Sequence, residues 1–240
     1  MGAALAGFVQ GLSGFGFSLT AMSIWTWMLE PRIAAALAVF GSLVGQLIGL
    51  FTVRRGFELK RLAPFVIGGL AGLPLGVWLL PRLDVVLFKA LLGTFLVIVC
   101  PLMLLAHRLP HVTRGGRIAD AISGAAGGAM GGLGGFTGVV PTLGCTLRGY
   151  EKDTQRAIIQ NFNLALLTVT FASYLATGIV NVAEWPLLAL VLPAMIVPSL
   201  VGARLYLRIS PEVFRRVVLS VLTASGVAML VAALPDLLRH

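Results

Sequence analysis

Two stretches of the chain carry residues suited to holding an anion without a charged side chain. The first reads Gly7-Phe-Val-Gln10-Gly11-Leu-Ser13-Gly14-Phe15-Gly16-Phe17-Ser18. The second is a dense glycine run beginning at Gly124 and ending in Gly135-Phe-Thr137-Gly138-Val139-Val140-Pro141. Each interior glycine costs a helix about 1 kcal/mol relative to alanine, so neither stretch is expected to stay continuously helical. The breaks are placed at 11–18 and 131–141. A helix that restarts after a break presents unpaired N–H groups and about half a positive charge. Glycine lets an anion approach that backbone closely, and the Ser13, Ser18 and Thr137 hydroxyls add donors. The candidate anion-binding residues are Gly11, Ser13, Gly14, Phe15, Gly16 and Ser18 from the first stretch. Gly135, Thr137, Gly138 and Val139 come from the second, and Asn161 and Asn163 from the polar start of the next apolar segment.

Other chemistries lack their residues. His107, His111 and His240 fall outside the long apolar runs, which leaves no intramembrane imidazole for a metal or a general base. All nine acids lie at segment ends or in connections, which argues against a carboxylate proton relay at membrane depth. Cys100 and Cys145 are read as small buried residues rather than a disulfide framework. No cofactor is implied, and the chain is not expected to be an enzyme.

The elements that must position these breaks are written in the charge pattern. Hydrophobic residues make up 58% of the 240 and charged ones only 11%, too few to coat an ordinary soluble domain. The charges are clustered, and the uncharged intervals between them approach the roughly 20 residues a helix needs to cross a bilayer. They predict an all-α, polytopic membrane protein of eight segments: 3–29, 33–53, 62–81, 86–106, 119–147, 157–180, 185–203 and 214–235. The glycine-rich first segment lacks a basic leader and does not read as a cleaved signal peptide. Gly41, Gly45 and Gly49, and likewise Gly68, Gly72 and Gly76, recur every four residues, which predicts close helix packing. Gln46 sits within the first of these stripes and reads as interhelical glue.

The chain also repeats. A shift of 124 places Gly7 on Gly131, Gly11 on Gly135, Gly14 on Gly138 and Arg32 on Arg156. A shift of 126 places Gly76 on Gly202, Arg82 on Arg208 and Phe88-Lys89 on Phe214-Arg215. Two related halves, 1–110 and 111–240, follow. If all eight segments crossed, the 18 Lys and Arg residues would divide ten to eight between the faces. If the fifth is a re-entrant hairpin they divide 14 to 4, the bias expected of cytoplasmic loops. With the first segment also a hairpin, each half has three crossings and the halves insert with opposite orientation, an arrangement common in transporters. The +9 net charge then belongs to loops, and nucleic acid is excluded as a partner.

Gly11-Leu-Ser-Gly-Phe-Gly-Phe17 resembles the opening motif of the TauE/SafE family, the sulfite exporters. So does Gly135-Phe-Thr-Gly-Val-Val-Pro141 with the following Arg148-Gly-Tyr-Glu-Lys-Asp-Thr-Gln-Arg156. Val140-Pro141 stands where that family commonly has a glycine–proline pair. The resemblance implies a bacterial inner-membrane transporter that exports or exchanges sulfite, sulfonates or other small sulfur-containing anions. An anion channel, or a carrier of other small organic anions, is the alternative. The partners implied are a small anionic substrate and the lipid bilayer, with homo-oligomerisation left open.

Overall fold

The computed structural model describes residues 1–13, 16–52, 58–105, 116–205 and 211–237. These form ten α-helices, and no strand occurs among them. In chain order they are α1 (Gly2–Ser13), α2 (Phe17–Trp25), α3 (Pro31–Thr52), α4 (Leu59–Leu79) and α5 (Val85–Leu105). Then follow α6 (Gly116–Gly134), α7 (Val139–Leu147), α8 (Lys152–Ala176), α9 (Trp185–Leu205) and α10 (Pro211–Leu237).

Among the described residues, six helices are long and apolar enough to cross a membrane: α3, α4, α5, α8, α9 and α10. The other two expected segments are each a pair of shorter helices, α1–α2 and α6–α7. α3 and α8 are the most enclosed of the six and pack on each other. The outer helices α5, α9 and α10 point apolar side chains such as Ile98, Leu190, Val221 and Val231 outward. So much exposed apolar surface suits contact with lipid rather than water.

Both broken segments double back on themselves. Gln10 near the end of α1 accepts a hydrogen bond from Phe17 N at 3.1 Å, and the start of α1 at Gly2 lies against Trp25 at the end of α2. In the second, Thr137 lies against Gly127 and Gly131, Ser123 Oγ donates to Val140 O at 3.2 Å, and Arg148 reaches back to the Gly116 carbonyl.

The breaks are narrower than their glycine content predicts. α1 stays helical through Gly7 and Gly11, α2 is already helical at Phe17, and α6 runs through all its glycines up to Gly134, so the second interruption shrinks to residues 135–138. Helix packing explains the difference. Gly124, Gly128 and Gly132 lie on the backbone carbonyls of Phe65, Gly69 and Leu73 in α4. The expected stripe Gly68, Gly72, Gly76 answers them, facing the carbonyls of Ala121, Ala125 and Ala129. α4 and α6 thus run parallel in near-backbone contact, a seam that any Cβ at these positions would force apart. α1 makes the same kind of parallel contact with α9, Gly7 on Met195, Gly11 on Ser199, and Gly202 on Phe8. Gly41 and Gly45 of the other expected stripe receive the Phe17 ring and the Gln10 side chain.

The two ends of the bundle are built differently. At one end, Arg148 Nε approaches Asp120 Oδ1 at 3.2 Å, Tyr150 donates to Asp120 Oδ2 at 3.0 Å, and Arg61 pairs with Glu58 at 3.2 Å. At the other, cations lie on tryptophans: Arg82 on Trp78 at 3.9 Å and Lys89 on Trp27 at 5.0 Å. Cys100 and Cys145 are both buried and unbridged.

Candidate functional site

The two helix breaks meet at one cavity. Its walls are Gln10 of α1, Gly16, Ser18 and Leu19 at the start of α2, and Ser42 and Gln46 of α3. The opposite walls are the break residues Gly135 to Gly138, Val139 of α7, and Asn163 and Leu167 of α8. Ser42 and Asn163 fall near the midpoints of α3 and α8, so the cavity lies deep inside the bundle. Its free space is small, enough for little more than a water molecule.

Local backbone geometry sets the tips. Gly16 has φ +108° and caps the N-terminus of α2; Gly135 has φ +79° and ends α6. Side chains rarely adopt this left-handed region, and glycine does so freely. The first turns of α2 and α7 both open onto the cavity, and the N-cap residue of each is a glycine, which has no side chain to cap with. In α2 the Phe17 N–H is taken by Gln10, and the Ser18 and Leu19 N–H groups have no intrahelical partner by helix geometry. Pro141 removes one donor from α7 and the Val139 N–H is taken by the Phe136 carbonyl at 3.4 Å, which leaves that of Val140 at its start.

Neutral polar side chains complete the lining. Ser18 and Ser42 share a hydrogen bond at 2.6 Å, and Ser18 also reaches the Ala38 carbonyl at 3.2 Å. Across the cavity, Thr137 donates to Asn163 Oδ1 at 2.9 Å. Gln10, Ser18, Ser42, Gln46, Thr137 and Asn163 are all buried. No Asp, Glu, Lys, Arg or His is among the described lining residues. One further contact fixes the second tip from behind: the fully buried Tyr174 donates to the Gly132 carbonyl at 2.7 Å.

Of the residues singled out in the sequence, the fold brings Gly16, Ser18, Gly135, Thr137, Gly138, Val139 and Asn163 together at the cavity. Gly11 instead faces the Ser199 carbonyl of α9. Asn161 turns its amide to the Ala157 carbonyl of its own helix at 2.8 Å. It lies two positions from Asn163, and residues so spaced point to different faces of a helix. Ser13 ends α1, but its side chain, like the whole of Gly14 and Phe15, lies outside the described residues. Ser42 went unnoticed, and Gln46, read as glue, lines the cavity. Their i, i+4 spacing on one helix face was the available signal.

The family described as "Sulfite exporter TauE/SafE" matches residues 1–229. The chain belongs to the TauE/SafE family. Membership of this transporter family and six apolar helices together make it a multi-pass membrane protein. No curated protein and no solved structure matches the chain. Among the described residues there is no cluster of His, Cys, Asp or Glu able to take a metal.

Proposed function

We propose that this protein is a secondary transporter of small sulfur-containing anions, such as sulfite or organosulfonates, in the bacterial cytoplasmic membrane. The anion is held between the two hairpin tips and moved by alternating access. The observation that carries this reading is the convergence of the N-termini of α2 and α7 on one buried, neutral, hydroxyl-lined cavity. Such ends attract anions through free N–H groups and the helix dipole.

The contact pattern supports two halves, 1–110 and 111–240, inserted with opposite orientation. Exchanging α1–α5 for α6–α10 turns the α1–α9 contact into α6–α4, and maps α5–α10 and α3–α8 onto themselves. The α1–α2 hairpin has its base beside the starting end of α9, and the α6–α7 hairpin beside the starting end of α4. Because α8 connects the Arg61–Thr154 end to the start of α9, those bases lie at opposite ends of the bundle. Arg61, Arg148 and Arg156 then lie on the basic, cytoplasmic face.

Purified protein in liposomes loaded with sulfite tests the reading. Saturable sulfite efflux that exceeds protein-free vesicles supports a carrier. Efflux no faster than the protein-free control, with methanesulfonate also retained, would contradict it.

A further inference from the structure

We infer that α7 is the arm that opens the cavity toward the Asp120 end of the bundle, with Gln155 as the bolt that holds it shut, while α2 stays in place; this deepens the carrier reading above and rests on it. A moving wall is required by size. The cavity has room for little more than a water molecule, so an oxyanion enters only when a wall withdraws.

The two helices that restart at the breaks are held differently. Eight of the nine residues of α2 are buried, among them Phe17, Met22 and Trp25, against four of nine in α7. α2 packs on α3 and α10 as well as on α1, and Ser225 Oγ of α10 donates to the Ser23 carbonyl at 3.4 Å. α7 leans chiefly on α6 and α8. Polar side chains tie it to α8: Gln155 Nε2 donates to the Thr142 carbonyl at 3.3 Å and to Thr146 Oγ1 at 3.0 Å, and Thr137 bonds Asn163 at the tip. Water entering from the end of the bundle replaces such bonds at little net cost, whereas it cannot compensate the buried apolar side chains of α2.

α7 also has a joint at each end. Gly135 before it and Gly149 after it take φ of +79° and +68°, a region that glycine enters freely. α2 has such a joint at Gly16 only, since no glycine occurs in residues 26–30. Beside Gly149, the Arg148–Asp120 pair keeps the base of α7 on α6 while the tip swings. α6 itself is fixed by its glycine–carbonyl seam with α4.

Thr142 of α7 and Thr20 of α2 form a matched pair for the test, 7% and 6% exposed. With Cys100 and Cys145 replaced, full-length protein carrying Thr142→Cys or Thr20→Cys is treated in detergent with a small water-soluble methanethiosulfonate, each rate taken relative to the denatured protein. Local opening is expected to make position 142 react at least about tenfold faster than position 20, and Gln155→Leu to speed it further. Equal rates, or a faster one at position 20, would overturn the proposal; a rate at 142 unmoved by Gln155→Leu would remove the bolt. In liposomes, Thr146→Cys with Gln155→Cys, joined by a short reducible crosslinker, is expected to slow sulfite efflux at least about tenfold until the link is reduced. Efflux unchanged by the link would also overturn the proposal. Wild type without efflux would remove the carrier reading, and the labelling ratio, which needs no substrate, would still decide which arm moves.

Discussion

Gly135 holds φ +79° at the second tip, and a Cβ there would lie 2.5 Å from Ser18 Oγ and 3.3 Å from Val39. Gly135→Ala therefore combines left-handed strain with loss of the Ser18–Ser42 bond, at a cost of about 2 kcal/mol. A melting curve in detergent is expected to shift down; an unchanged midpoint would contradict the assigned backbone. Gly138 is limited by space instead, since its Cβ would lie 2.6 Å from Asn163 Nδ2. Tyr174→Phe leaves the Gly132 carbonyl buried without its donor, at about 1–3 kcal/mol, again read as a lowered melting point. Much of the cavity was legible at this scale, because glycine next to Ser or Thr in an apolar run is unusual and was marked at both breaks. Ser42 was not legible: one serine in a spanning helix carries no signature until its neighbours across the bundle are known. Gln46 was misread because the packing stripe Gly41–Gly45 and the polar pair Ser42–Gln46 occupy adjacent faces of α3.

Hairpin α6–α7 is clasped at its base by charge. Asp120 and the neighbouring Arg148 side chain are largely enclosed, and their 3.2 Å approach is an ion pair without good hydrogen-bond alignment. Tyr150 donates to the same carboxylate and faces the guanidinium groups of Arg61 and Arg148 at 5.7 and 5.5 Å. Asp120→Ala removes one partner and leaves a largely buried cation, a change that typically costs about 3–5 kcal/mol. Faster amide hydrogen exchange across α7 is the expected result; unchanged exchange there would show that the clasp does not hold the hairpin. Burial, reinforced by the bond to Asp120, raises the Tyr150 pKa above the ordinary tyrosine value. Its hydroxyl therefore stays protonated and donating at neutral pH, and this contribution is lost only as pH rises through the raised value. The destabilisation caused by Tyr150→Phe should accordingly be constant through the neutral range, and a midpoint difference that varies with pH there would contradict it. Glycine density located the two broken segments but overstated the breaks. Composition does not distinguish a glycine that ends a helix from one that packs against a carbonyl, and α6 carries both kinds within one run.

For the molecule as a whole, the all-helical class and the six single spans were legible because charges interrupt the apolar sequence at bilayer-length intervals. The pairing of α1 with α9 and of α4 with α6 was not, since a glycine stripe announces a close neighbour without naming it. The proposed topology makes a direct prediction. With Cys100 and Cys145 replaced, single cysteines at Val112 and Glu151 should both react with a membrane-impermeant maleimide from the cytoplasmic face. Labelling from opposite faces would eliminate the re-entrant α6–α7 hairpin.

The central claim is that the anion sits between the two tips, touched by residues of both halves. Sulfite efflux from proteoliposomes tests it most directly when wild type is compared with Ser42→Ala and Thr137→Val. These substitutions remove one hydroxyl from each side of the cavity and leave every glycine in place. With both variants inserting and eluting as wild type, each is predicted to slow efflux by about tenfold, the worth of one hydrogen bond to a charged ligand. Wild-type efflux from both would contradict the claim.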